Sequence, residues 1–226
     1  MTDRDQVVGS VALAYREQGA AGGRPVVVLH GTGSDSTTWD VITWPGQWRV
    51  LGLDLRGHGH SPWTATYELP DMVNDVIGTL DSLELARVDL VGHSMGAMVA
   101  YLLAQRAPER VRRLVLAEPP PPLPAAPPRD EGDRPAGELT YDWCVQAPFS
   151  RQRNGPEPSW WTQLSAITAP TLILAGRNGS FPIDVMTAMA DRIPNCELLF
   201  LDAGHQIHEN QPAGFLAALT TFLDIG

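Results

Sequence analysis

The chain has 226 residues, 43% of them hydrophobic and 19% charged. That is enough apolar material for one core, in one domain or a domain with a small insertion, and too little charge for a disordered acidic chain. The formal net charge of -10 excludes partners that demand a basic surface, nucleic acid above all, and disfavours anionic membranes and strongly anionic substrates, although a local Arg could override the average.

In chain order, "VALAY" (11–15) predicts a strand, with Val8 starting a small hairpin. The turn "QGAAGGRP" leads into "VVVLHG" (26–31), an apolar, β-branched run of the kind found in strands covered on both faces. "WRVLGLD" (48–54) is a further strand, and residues 69–85 carry Met72, Val73, Val76, Ile77, Leu80 and Leu83 at helical spacing. "RVDLVG" (87–92) is a strand and "SMGAMVAYLLAQRA" (94–107) a helix. "VRRLVLAE" (111–118), "TLILAG" (171–176) and "CELLFLD" (196–202) are strands, with helices near 184–192 and 209–223. The alternation implies an α/β protein: a mostly parallel central sheet with helices on both faces, and reactive groups on the loops at the carboxyl ends of its strands.

The segment "PPPPLPAAPPRDEGDRPAGE" (119–138) breaks this rhythm, because prolines bar a central strand or continuous helix. Beyond it stand Tyr141, Trp143, Phe149, Trp160 and Trp161. The alternatives are a surface insertion and a lid whose aromatics cover a pocket; so many exposed aromatics would be costly, which favours the lid. The implied organisation is a core of residues 1–118 and 166–226 with a short cap at 119–165. Residues 1–10, "MTDRDQVVGS", lack the apolar stretch of a secretory signal, and no apolar run approaches a membrane span. The two cysteines, Cys144 and Cys196, make neither a metal-ligand spacing nor a disulfide framework, so a cytoplasmic setting with no metal is expected.

Between the strand 87–92 and the helix 94–107 lies Gly92-His93-Ser94-Met95-Gly96, a Gly-x-Ser-x-Gly pattern. The flanking glycines permit a sharp turn that lifts a serine hydroxyl above the sheet edge, at a helix N-terminus that favours negative charge. A structural turn that happens to carry a hydroxyl is the alternative. In that context Ser94 reads as a nucleophile.

Here the chain resembles the α/β-hydrolase family over nearly its full length. The matching pieces are "VVVLHGTGSDSTTWD", "LGLDLRGHGHSP", "LVGHSMGAMVA", "RVRRLVLAE", "APTLILAGRN" and "LDAGHQIHENQP", in the family's order and spacing. Among six histidines, the resemblance makes His205, in "DAGH", the general base ahead of His208, which otherwise reads as a solvated residue of the last helix. It makes His30 and His58 structural, leaves His60 as a neighbour that could reach the pocket, and places His93 badly for facing the Ser94 hydroxyl. It assigns the oxyanion hole to the backbone N–H groups of Met95 and Thr32.

The match fails at the acid. The family usually carries an aspartate three residues past the glycine that ends "TLILAG", and here Gly176 is followed by Arg177, Asn178 and Gly179. Glu118, which ends the preceding strand on the same carboxyl edge, is the substitute, as in some members such as haloalkane dehalogenases; Asp184 and Asp202 are reserves. A glutamate at the buried end of an apolar strand is costly unless paired. Ser94 excludes the aspartate-nucleophile dehalogenases and epoxide hydrolases.

The leading functional expectation is therefore a serine hydrolase of a small, neutral or apolar ester, lactone or thioester, acting through an acyl-enzyme without cofactor or metal, with Trp143, Trp160 and Trp161 lining the substrate pocket. The second is a biosynthetic acyl transferase or cyclase, or a carbon–carbon bond hydrolase, on the same fold. The third is a non-catalytic small-molecule receptor.

Overall fold

The computed structural model describes residues 2–5, 11–123 and 133–224. One sheet of eight strands organises them, in the spatial order β1-β2-β4-β3-β5-β6-β7-β8. The strands are β1 (Thr2–Asp5), β2 (Ala14–Gly19), β3 (Arg24–Leu29), β4 (Trp48–Leu53), β5 (Val88–His93), β6 (Val111–Ala117), β7 (Thr171–Gly176) and β8 (Cys196–Leu201). β1 pairs antiparallel with β2, and β2 with β4; every other pairing is parallel.

Both faces are covered, which explains the unbroken apolar runs. Val27, Leu29, Leu90, Leu114 and Leu116 pack towards α1 (Leu69–Ser82), α2 (Met95–Arg106) and α5 (Ile183–Arg192). Their alternates Val26, Val28, Val91, Val115 and Ala117 pack on the opposite face, against Trp39, Trp48 and α7 (Pro212–Leu223). Period-two alternation thus places an apolar side chain on each face at every step. β8, at the edge, alternates half-buried and exposed residues instead.

The elements differ from expectation at two places. β2 begins at Ala14, and its pairing runs on to Gly19 opposite Arg49, because the antiparallel partner β4 supplies acceptors along that whole length. The Val8 hairpin start lies outside the described residues. The last helix is two: α6 (Ile207–Asn210) and α7, separated where Gln211 leaves helical geometry and Pro212 opens the next helix. Proline has no N–H to continue the ladder but suits a first helical turn.

Between β6 and β7 the chain leaves the sheet and forms α3 (Gln146–Asn154) and α4 (Pro158–Thr162). It is pinned to the loop after β4 by two backbone bonds, Gly59 N–H to Thr140 O at 2.8 Å and Asp142 N–H to Gly57 O at 2.7 Å. The Tyr67 hydroxyl adds a third, donating to Asp142 Oδ2 at 2.6 Å.

Candidate active site

Ser94 follows β5 directly and precedes α2. Its backbone sits at φ 51, ψ -114, outside the regions a residue with a Cβ prefers. Such strain persists only where the surroundings over-determine it, and here they do. A Cβ on Gly92 would lie 2.3 Å from Gly96 O, and one on Gly96 2.5 Å from Leu29 O. Strand, turn and helix therefore close on one another with no room for side chains at either flank. Ser94 N–H donates to Ala117 O at 3.0 Å and Gly96 N–H to His30 O at 3.0 Å, fastening the turn to β6 and to the end of β3.

Three side chains from three strand ends converge above this turn. Ser94 Oγ lies 3.0 Å from His205 Nε2, and His205 Nδ1 lies 3.1 Å from Glu118 Oε2. The Glu118 side chain is 2% exposed and that of His205 35%. A buried carboxylate requires donors, and Glu118 has them: Gly176 N–H at 2.7 Å on Oε1 and Ser180 N–H at 2.9 Å on Oε2. Glu118, like Ser94, has a positive φ, 48. Such an arrangement allows a hydroxyl to pass its proton to an imidazole whose other nitrogen is oriented by a carboxylate. Asp184 and Asp202 are both exposed, and neither bonds His205.

The remaining histidines have other work. His30 Nδ1–H donates to Gly31 O at 2.8 Å while its Nε2 accepts Leu55 N–H at 3.0 Å. His58 Nδ1–H donates to Arg56 O at 3.0 Å while its Nε2 accepts Gly33 N–H at 3.2 Å. Each ring needs one protonated and one bare nitrogen to make both bonds, so both are held neutral. Burial pushes His30 down to about 4 and His58 to about 3. Together they tie residues 31–33 to the loop after β4. His60 is exposed, and its backbone N–H, not its ring, is engaged, donating to Asp54 Oδ2 at 2.9 Å.

His208 is a correction. Rather than being solvated it is 0% exposed, because the break at Pro212 turns α6 inward. Its ring lies 4.4 Å from Trp39 and 4.7 Å from His93, and Nε2 bonds Thr38 Oγ1 at 2.8 Å. Burial lowers its pKa to about 4.

Met95 opens α2 directly after Ser94, and Thr32 lies in the loop after β3. Gly31 approaches Ser94 so closely that a Cβ there would lie 3.2 Å from Ser94 Cβ. Among the described residues the backbone N–H groups of Thr32 and Met95 have no protein acceptor.

The aromatics divide. Tyr141, which sequence reasoning did not single out as a site residue, stacks on His58 at 5.7 Å and 15°, and its ring edge lies 3.5 Å from where a Gly33 Cβ would stand. Trp143 is its neighbour at 6.2 Å. Trp160 and Trp161 lie elsewhere. Trp160 lines a separate cavity of about 480 Å³ with Val73, Leu102 and Gln105, roughly 12–17 Å along α2 from Ser94 at the helical rise. Trp161 packs under the Arg192 guanidinium at 4.9 Å. Trp160 thus meets α1 and α2, and Trp161 meets Arg192 of α5, rather than the turn that carries Ser94. Among the described residues no group of three or more His, Cys, Asp or Glu is arranged to hold a metal ion, and no helix is long and apolar enough to cross a membrane.

A mostly parallel sheet with covered faces, a strained serine at a strand-to-helix turn, and a histidine within reach are the marks of the α/β-hydrolase fold. Residues 24–152, more than half of the chain, match the profile of the alpha/beta hydrolase fold, and the chain belongs to that family. It is similar to a crystal structure of a hydrolase from Pseudomonas aeruginosa, with TM-score 0.83 and 26% identity over 99% of this chain and 98% of that one. It is 26% identical to an sn-1-specific diacylglycerol lipase of Mus musculus, over 88% of this chain and 80% of the relative. It is 39% identical to a dihydrolipoyllysine-residue acetyltransferase component of an acetoin cleaving system from Pseudomonas putida, over 48% of this chain and 30% of the relative. The chain spans less than half the length of several curated relatives that it matches, this one among them.

Proposed function

We propose that the protein is a serine hydrolase that cleaves a small, neutral or apolar ester, lactone or thioester through an acyl-enzyme. The observation that carries this reading is the continuous path from Ser94 Oγ through both ring nitrogens of His205 to Glu118 Oε2, with steps of 3.0 and 3.1 Å. Ser94 Oγ attacks the carbonyl carbon as His205 Nε2 takes its proton. Glu118 fixes the ring tautomer and stabilises the imidazolium. The backbone N–H groups of Thr32 and Met95 receive the charge that develops on the carbonyl oxygen. His205 returns the proton to the leaving alcohol or thiol, then takes one from the water that releases the acid. Residues 119–165 act as a short cap, a role supported by Tyr141 standing over Gly33 beside the oxyanion loop. An exposed free thiol, Cys144, suits a reducing cytoplasm.

The likeness to an acetyltransferase component favours acyl transfer as the second reading, in which an acceptor other than water takes the acyl group. A fluorophosphonate probe and a panel of p-nitrophenyl esters of increasing chain length test the proposal. Labelling of Ser94 and release of free acid are expected. Absence of labelling in folded protein overturns the mechanism and leaves a receptor; labelling with release that depends on an added alcohol or thiol acceptor selects the transferase.

A further inference from the structure

We propose that His93 is a positioning residue that holds the backbone of His205 in place while Ser94 is acylated. The proposal rests on the hydrolase reading above.

His93 closes β5, adjoins Ser94 and is 3% exposed. Its Nε2 lies 2.9 Å from the carbonyl oxygen of His205. A carbonyl only accepts, so the proton is on His93 Nε2, and the ring is the neutral Nε2–H tautomer. Burial, with His208 and His205 nearby, holds His93 well below the ordinary histidine range. The ring also packs on His205 at 4.9 Å and meets His208 edge-on at 4.7 Å.

This link matters because of where His205 sits. It lies on the turn between β8 and α6, and two strands, β6 and β7, separate β8 from β5. Upstream, Asn178 N–H holds Ala203 O at 3.1 Å; downstream, α6 begins at Ile207. Among the described residues, the His93 bond is what ties the backbone of residues 204–206 to another strand. The side-chain bond from Ser94 to His205 cannot do this throughout turnover. Once Ser94 Oγ is esterified it has no proton to donate, and His205 must still stand ready to activate water. In that interval its side chain has Glu118, and its carbonyl has His93 from across the sheet beside the local Ile207 N–H at 2.9 Å. The prediction is specific to one half of the reaction: loss of the His93 donor slows deacylation more than acylation.

His93→Phe keeps an aromatic ring and removes the donor, whereas His93→Gln restores an N–H at similar reach. Stopped-flow release of p-nitrophenol from p-nitrophenyl acetate, with thermal melting of each variant, separates the cases. For His93→Phe the expected result is a pre-steady-state burst followed by a steady rate about 10- to 100-fold below wild type, the scale of a small misplacement of a catalytic group, with KM falling in step. His93→Gln should recover most of the steady rate. The proposal is overturned by a steady rate for His93→Phe within about twofold of wild type, or by equal impairment of both variants without a burst. If His93→Phe does not fold, the wild-type tautomer decides: ¹⁵N-histidine NMR showing a proton on His93 Nδ1 rejects the bond, and one on Nε2 with near-wild-type steady turnover in His93→Gln supports it. Wild-type protein that neither releases p-nitrophenol nor labels with fluorophosphonate overturns the hydrolase reading itself. Normal wild-type activity with an unimpaired His93→Phe overturns only the role of His93.

Discussion

Glu118 and Gly179 contend for one volume. A Cβ on Gly179 would lie 2.3 Å from Glu118 Oε1 and 2.7 Å from its Cδ. One residue comes from the end of β6, the other from the loop after β7. Gly179 is also the position, three past Gly176, at which an acid was expected and missed. The glycine is thus part of the acid site: it is the space that the Glu118 carboxylate fills to reach His205.

Relocating the carboxylate tests this relationship. Glu118→Gln should lower kcat by about 10²- to 10⁴-fold, since it removes the charge that stabilises the imidazolium. Gly179→Asp alone should lower both kcat and Tm, because the new side chain meets Glu118. The double variant Glu118→Ala/Gly179→Asp should be at least about tenfold more active than Glu118→Ala, a coupling that additive sites would not show. A harmless Gly179→Asp, or a double variant no better than Glu118→Ala, is the contrary result in steady-state kinetics.

Ser94→Ala and His205→Ala should each reduce kcat by on the order of 10³-fold or more, and the pair combined should lose little beyond either alone, because they act as a unit. His208→Ala should behave differently. It empties a buried site between Trp39 and Phe215, so the expected loss is stability, about 2–4 kcal/mol by denaturant unfolding. A fully stable but inactive His208→Ala would move the base away from His205.

Stability should fall on mild acidification. His30 and His208 hold pKa values of about 4 and His58 about 3, against an ordinary value of 6.5, and His93 is also well below it. Between those folded values and 6.5 the unfolded chain binds protons that the folded chain refuses, so the stabilising contribution is complete above 6.5 and declines as pH falls. Each such group adds at most about 1.4 kcal/mol per pH unit. Carboxylates with lowered pKa, such as Asp35 and Asp142, act only below about 4. Urea unfolding at pH 7.5, 6 and 5 should therefore show a steady loss already at pH 6 to 5; a flat profile there contradicts the neutral-histidine assignments.

The cap aromatics should separate by function. Tyr141→Ala removes the ring over Gly33 and His58 and should raise KM for bulky esters more than it lowers kcat. Trp160→Ala should leave KM unchanged and cost stability, about 3–5 kcal/mol for an aromatic truncated in a packed core. KM values measured across ester chain lengths, alongside Tm, decide it; a raised KM for Trp160→Ala with unaltered Tm would return that residue to the substrate pocket.

The local pattern of the chain determined most of the fold. Runs such as "VVVLHG" and "TLILAG" read as doubly covered strands because period-two alternation needs apolar residues on both faces, and their ends fell within a few residues of the observed strands. Gly92 and Gly96 around Ser94 marked the turn by the absence of side chains, and a strained turn is a local property that adjacent residues encode. Other features depended on neighbours far along the chain. The burial of His208 follows from the break at Pro212 and from Trp39, 169 positions upstream. The separation of Tyr141 from Trp160 and Trp161 follows from which helix each meets. Above all, that Glu118 reaches His205 depends on Gly176, Gly179 and Ser180 supplying two amides and a vacant side-chain position. Sequence could name a carboxylate at the rim; only the packing of β6 against the loop after β7 decided that its oxygens, and not those of Asp184 or Asp202, stand beside the imidazole, because hydrogen-bond donors and free volume at a strand end come from whichever segment folds next to it.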